Sequence, residues 1–296
     1  MPRFGRVLTA MVTPFDEDGE LDVDVAVQLA KWLVEQGNED LVICGTTGES
    51  PTLSIDEKLA LFEAVANAVT VPILAGTTGY NTRLDIGLTE EVGKLGVAGI
   101  LAVCPYYSLP SQAGLETHFR AIAGSTDLPV VLYDIPIRSG RKIDSTTLVR
   151  LAHDVPNVVG LKDAAGNPGA TAAVIANAPA DFEVYSGDDA LTLPLLAVGA
   201  VGVIGVATHW CTPDHVEMFD AWGRGDVAGA RQINDRQVES YEFETGDVAP
   251  NPVPAKAMLR TLGIAVGEPR APMGPTPPGL EDAARDVYAR LVAARG

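Results

Sequence analysis

An α/β chain closed as a (β/α)8 TIM barrel and extended by a C-terminal helical appendage is the fold class this sequence predicts. Three observations carry the prediction. Eight short apolar runs of strand length recur at fairly even spacing, at residues 7–13, 40–45, 71–76, 99–105, 129–135, 158–162, 182–186 and 201–206. Amphipathic segments with apolar residues at helical period lie between them, as at 24–36, 55–69 and 82–95. Past the eighth run, no further strand signal appears through residue 296. Eight strand–helix units in succession fit a closed parallel barrel better than an open, doubly wound sheet.

Taken in order, the run at 7–13 leads to a helix over 24–36 that places Val25, Leu29, Trp32 and Leu33 on one face. The second run ends in Gly45-Thr46-Thr47-Gly48-Glu49-Ser50, and the fourth in Pro105-Tyr106-Tyr107. Tyr133-Asp134-Ile135-Pro136-Ile137-Arg138 closes the fifth. The sixth, rich in β-branched residues, reads as a strand buried on both faces and ends at Lys162. Ser186-Gly187-Asp188-Asp189 follows the seventh. The tail reads as helices over 214–222, 226–243, 254–262 and 280–294, with 267–279 as a Pro/Gly-rich connector. We therefore expect a barrel domain over 1–223 and a helical extension over 224–296.

Composition narrows the function classes. With 47% hydrophobic and 20% charged residues, the 296-residue chain has ample material for a core. Its net charge of −18, with no Lys/Arg cluster, argues against nucleic acid and against an anionic membrane surface. An anionic small molecule would need a local basic group to offset the general repulsion. Cys44, Cys104 and Cys211 form no C-x-x-C pair, so neither a disulfide framework nor a zinc site is suggested. His118, His153, His209 and His215 lack metal-ligand spacing, which disfavours a zinc-dependent aldolase. Gly199, Gly202 and Gly205 miss the dinucleotide fingerprint, so no cofactor and no metal are expected. No apolar run is long enough to span a bilayer and no signal peptide is evident, which makes the cytoplasm the expected location.

In such a barrel the active site gathers at the C-terminal ends of the strands. Hydroxyls, tyrosines, Arg138 and Lys162 would converge there. A lysine ending a buried strand has two readings. Its stem packs while its head reaches water, or desolvation turns it into the free amine that attacks a carbonyl. Schiff-base chemistry needs protons moved to and from the reacting centre, and the hydroxyls of Tyr133, Thr46 and Tyr107 can both donate and accept. The glycine-rich turn around Thr46 and Thr47 offers backbone N–H groups to a carboxylate. Arg138 presents a rigid fork to a second one. Each element also has a plain alternative: a tight turn, packing tyrosines, an arginine in a surface ion pair.

Together these segments resemble the dihydrodipicolinate synthase family, within the pyruvate-dependent class I aldolases that include N-acetylneuraminate lyase. The likeness rests on Gly45 to Ser50, Pro105-Tyr106-Tyr107, Tyr133 to Pro136 with Arg138, Gly160-Leu161-Lys162-Asp163-Ala164, Ser186 to Asp189, and Asn251-Pro252-Val253-Pro254-Ala255-Lys256. It spans nearly the whole chain. The resemblance implies that Lys162 forms an imine with pyruvate, with Tyr133 as the central proton donor and acceptor. Thr46 and Tyr107 complete the relay, Tyr107 by reaching into a neighbouring subunit of a homotetramer. Thr47 would bind the pyruvate carboxylate, the backbone at Gly187 and Ile204 would line the pocket, and Arg138 would hold the carboxylate of aspartate semialdehyde. The implied product is 4-hydroxy-tetrahydrodipicolinate, on the route to diaminopimelate and lysine. Three positions depart from the family pattern: Asp134 for asparagine, Ser139 for threonine, and Ile137 for a small residue. Ile137 is expected to narrow the aldehyde pocket or re-aim Arg138.

Overall fold

Each apolar run becomes a strand, and the eight strands hydrogen-bond in chain order, all parallel, until β8 closes on β1. The structure, a computed structural model, describes residues 2–246 and 248–296. The strands are β1 (Val7–Ala10), β2 (Asp40–Ile43), β3 (Ile73–Gly76), β4 (Gly99–Val103), β5 (Val130–Asp134), β6 (Val158–Asp163), β7 (Glu183–Ser186) and β8 (Gly202–Gly205). The outer helices are α1 (Val23–Glu35), α2 (Ile55–Ala68), α3 (Thr82–Val92), α4 (Gln112–Ala123), α5 (Pro136–Ser139), α6 (Ser145–Asp154), α7 (Pro168–Asn177) and α8 (Thr192–Ala197). After β8 come α9 (Thr208–Gly223), α10 (Val227–Phe243), α11 (Val253–Thr261) and α12 (Leu280–Ala294).

Side chains alternate across each strand, and this alternation makes two cores. Leu8, Ala10, Val42, Leu74, Leu101, Val131, Tyr133, Tyr185 and Ile204 form a cluster of buried side chains contributed by the strands, with Phe4 among them. A larger cluster joins the other strand face to the helices, with Leu29, Leu33, Leu61, Phe62, Phe119 and Leu151 from the helical side. At about 2 kcal/mol per fully buried large apolar side chain, these layers supply the driving force for closure.

The strands are shorter than the runs suggested because the backbone turns at their C-terminal ends. Cys44 adopts φ 57°, so β2 stops at Ile43. The first helix after β8 begins at Thr208 rather than 214, since Pro213 is accommodated inside α9 at the loss of one helix hydrogen bond. A capping box fixes the start of α2, where Ser54 and Glu57 bond reciprocally to each other's backbone N–H. That cap anchors the far end of the loop carrying Thr46 and Thr47.

Candidate active site

The register of β5 and β6 sets Tyr133 directly beside Lys162, and that of β6 and β7 sets Lys162 beside Tyr185. Lys162 is only 4% exposed, and its Nζ lies 4.5 Å from the centre of the Tyr133 ring. Burial pulls its ammonium down to about 8, against the pull of Asp189 and Glu244, which favour the charge. Gly187 makes room for the chain: a β-carbon there would lie 2.9 Å from Lys162 Cγ. Burial pushes the Tyr133 phenol the other way, up to about 12, with the Thr46 side chain offsetting part of the shift. An amine that sheds its proton with comparative ease therefore sits against a phenol that keeps its own.

The loop after β2 supplies the second half of the site. Glu49, at φ 54°, joins Cys44 in the left-handed region, and both Thr47 and Glu49 are buried. The backbone N–H groups of Thr46 and Thr47 find no protein acceptor among the described residues. Thr47 Oγ1 accepts a 2.9 Å hydrogen bond from Asn251 Nδ2. Asn251 also offers its carbonyl to Arg138, at 3.2 Å. A cavity of about 210 Å3 opens here, with Thr46, Tyr106, Tyr133, Ile135 and Arg138 in its wall. Lys162 does not line this cavity itself; it lies against Tyr133, which does.

The structure thus brings Lys162, Tyr133, Thr46, Thr47, Arg138, Gly187 and Ile204 to one end of the barrel. Tyr107 reaches the same rim, but its side chain stays outside the cavity. That side chain is 92% exposed on a residue with φ 71°, and it is absent from the cavity wall that its neighbour Tyr106 helps form. Strained backbone at Cys44, Glu49 and Tyr107 clusters at this rim, a pattern common at functional sites.

A family model described as the Dihydrodipicolinate synthetase family matches residues 3–291. The chain belongs to that family. A 4-hydroxy-tetrahydrodipicolinate synthase from Moorella thermoacetica is 47% identical over 92% of each chain. One from Bacillus subtilis is 45% identical, over 92% of this chain and 94% of its own. Among solved structures, the dihydrodipicolinate synthase of Cyanidioschyzon merolae with lysine bound superposes with a TM-score of 0.96, at 41% identity and 99% coverage of both chains.

Against the dihydrodipicolinate synthetase family pattern, the departures have local explanations. Asp134 is buried, yet its carboxylate takes a 2.8 Å ion pair from Lys142 Nζ and a 3.1 Å hydrogen bond from the Ile143 N–H. Ser139 donates to the carbonyls of Ile135 and Arg141, which a threonine hydroxyl would also do. The expectation for Ile137 is corrected: it is 90% exposed and lies outside the cavity wall, so it narrows nothing in its own subunit. The short helix α5 turns Ile137 away from the cavity while Arg138 joins its wall.

Several residues stood in the motifs without a role read for them, and Glu244 was not singled out at all. Glu49 pairs with Lys256 at 2.7 Å, both fully buried, and its other oxygen accepts the Arg270 N–H at 2.9 Å. Lys256 also stands 4.1 Å over the Phe15 ring. The charges of Asp189 and Glu244 favour the ammonium of Lys162. Only the Asn251-to-Lys256 motif signalled that the helical tail takes part. Among the described residues, no group of three or more histidine, cysteine or acidic side chains is placed to hold a metal ion. No described helix is long and apolar enough to cross a membrane.

Proposed function

We propose that this chain is a 4-hydroxy-tetrahydrodipicolinate synthase that condenses pyruvate with aspartate 4-semialdehyde through an imine on Lys162. The observation that carries this reading is a buried lysine without an ion-pair partner among the described residues, brought down to about 8 and set 4.5 Å over the ring of Tyr133 beside the cavity, whereas the other buried lysine, Lys256, is paired with Glu49. The free amine attacks the keto carbon of pyruvate, and the resulting carbinolamine loses water to form the imine. Loss of a methyl proton gives an enamine, whose carbon forms the new bond to the aldehyde carbon while the aldehyde oxygen gains a proton. The amino group of the adduct then displaces Lys162, closing the ring and freeing the lysine.

Tyr133 is the central proton carrier. Held up to about 12, it is a donor at neutral pH and takes a proton back only when a basic intermediate leaves it one. Thr46, beside it, hands protons onward. The unpaired N–H groups of Thr46 and Thr47 and the Thr47 hydroxyl hold the pyruvate carboxylate, and the backbone at Gly187 and Ile204 lines that end of the site. Arg138, free on its outer side, clamps the carboxylate of the aldehyde.

Tyr107 completes the relay in a neighbouring subunit's site. Support comes from its exposure and from an apolar rim that includes Tyr80, Leu84 and Leu109, all exposed in one chain. The assembly we infer is a homotetramer built from two such dimers, in the cytoplasm, with residues 224–296 as an extension of the 1–223 barrel. The test is a condensation assay against a panel of aldehydes. Aspartate semialdehyde should be preferred, and Arg138→Ala should cut its turnover by a few kcal/mol of transition-state binding, about 10^2-fold, while sparing imine formation with pyruvate. Preference for an aldehyde without a carboxylate would reject the substrate assignment.

A further inference from the structure

Among the described residues, one group hydrogen-bonds to the Thr47 hydroxyl, and it comes from the far end of the chain. The turn after β2 holds its own backbone: the Glu49 N–H donates to the Thr46 carbonyl at 3.0 Å, and the Ser50 N–H to the Gly45 carbonyl at 3.3 Å. Thr13 Oγ1 secures the Gly48 carbonyl at 2.6 Å. None of these bonds involves the Thr47 side chain. Asn251, just ahead of α11, reaches it: Nδ2 donates to Thr47 Oγ1 at 2.9 Å. Asn251 and Thr47 are both buried, at 7% and 3% exposure. The main chain of Asn251 is tied as well, since its carbonyl accepts from Arg138 Nη2 at 3.2 Å. Further along α11, Lys256 pairs with Glu49 at 2.7 Å, so the segment is docked on both sides of the amide.

The direction of that bond matters more than its strength. A hydroxyl carries one O–H and two lone pairs. Asn251 uses a lone pair of Thr47, so the proton remains to be donated elsewhere, and no described protein group accepts it. The reverse placement of the amide would turn its oxygen to Thr47, consume that proton, and leave an NH2 group with two donors buried and unpaired. The observed placement leaves a single buried acceptor, Oδ1, without a partner. That is the lesser penalty, since orphaned N–H groups are rarer in folded proteins than orphaned carbonyl oxygens. The free Thr47 O–H thus joins the backbone N–H groups of Thr46 and Thr47, which also lack a protein acceptor among the described residues. Three donors with nothing in the protein to receive them form a seat for a carboxylate.

We propose that Asn251 is a positioning residue for the keto acid: by occupying a lone pair of Thr47 Oγ1 it commits the Thr47 hydroxyl to donating, so the substrate carboxylate meets an O–H already aimed at it. A hydroxyl free to rotate would have to be ordered at each binding event, and that ordering subtracts from affinity. Asn251 touches none of the reacting atoms and acts through Thr47. Its effect therefore falls on the affinity for pyruvate and leaves the imine chemistry of Lys162 and Tyr133 alone. The inference rests on the reading that Lys162 forms an imine with pyruvate while Thr47 holds its carboxylate.

The test follows the rate at which pyruvate and borohydride label Lys162 as pyruvate is varied at neutral pH, on the full chain, with the adduct mapped by mass. Asn251→Ala should raise the half-saturating pyruvate by about 3- to 10-fold, the worth of one oriented hydrogen bond. The rate at saturation should stay within about twofold of wild type. In a Thr47→Val background the same change should raise half-saturation by less than about twofold, because no hydroxyl remains to be aimed. Asn251→Asp has the same shape but only accepts at neutral pH, so it draws the Thr47 proton to itself and should weaken pyruvate at least as much as Asn251→Ala. A smaller rise for Asn251→Ala, a rise of about twofold or more in the Thr47→Val background, or an Asn251→Asp chain that binds pyruvate better than Asn251→Ala overturns the proposal. Thr47→Ala and Asn251→Leu stand in for any chain that fails to fold. A wild-type chain that pyruvate does not label refutes the imine itself; a labelled wild type with additive substitutions refutes the role of Asn251 alone.

Discussion

The reactivity proposed for Lys162 comes from the strand face it occupies. Alternation along β6 turns it inward beside Tyr133, where water is scarce, and an ammonium is costly there. That cost is paid by the folded state. Below about pH 8 the lysine is charged in both folded and unfolded chains, and the folded chain bears the full penalty. Between about 8 and the ordinary lysine value of 10.5 the unfolded chain binds more protons, so stability rises with pH as the penalty is relieved. Lys162→Met, similar in volume and uncharged, should therefore be inactive yet more stable at pH 7, by on the order of 1–3 kcal/mol. Urea unfolding at pH 7 and pH 10 checks this, with the gain over wild type shrinking at the higher pH. Tyr133→Phe should keep the fold and slow condensation by about 10^2 to 10^4.

At the scale of elements, the helical tail belongs to the site. Asn251 holds Thr47, and Lys256 and Arg270 hold Glu49, so the segment after β8 fixes the loop after β2. Lys256→Ala strands Glu49 as a lone buried charge and should cost about 3–5 kcal/mol. The paired change Glu49→Gln with Lys256→Met should cost much less, which a double-mutant cycle measured by chemical denaturation would reveal. The strands and most helices were legible because hydrophobic period reports which face is buried. Their ends were less so: a non-glycine residue at positive φ, as at Cys44, leaves no mark in composition. Lys162, Tyr133, Thr46 and Arg138 could be gathered from strand ends and familiar motifs. Glu244 could not, because only the docking of α10 brings it to the Ala207 N–H past β8.

The whole molecule raises the question of where Tyr107 does its work. In a single chain it is almost wholly exposed, and its own cavity is walled without it. If each subunit lends Tyr107 to its neighbour, chains carrying Tyr107→Phe and chains carrying Lys162→Ala should each be nearly inactive alone. Mixed and reassembled in equal amounts, they should recover up to about a quarter of wild-type activity, since half of the dimers are then mixed and each has one complete site. No recovery would place Tyr107 outside the relay. The net charge of −18 bears on the same scale: two anionic substrates must enter an acidic protein, so turnover at low substrate should improve as salt screens the repulsion.

The most direct test of the account is the fate of Lys162 in the presence of pyruvate. The wild-type chain, incubated with pyruvate and reduced with borohydride, should gain the mass of one reduced pyruvate adduct on the peptide containing Lys162, and Lys162→Ala should gain none. An adduct that persists in Lys162→Ala, or a wild-type chain that stays unmodified, would contradict it.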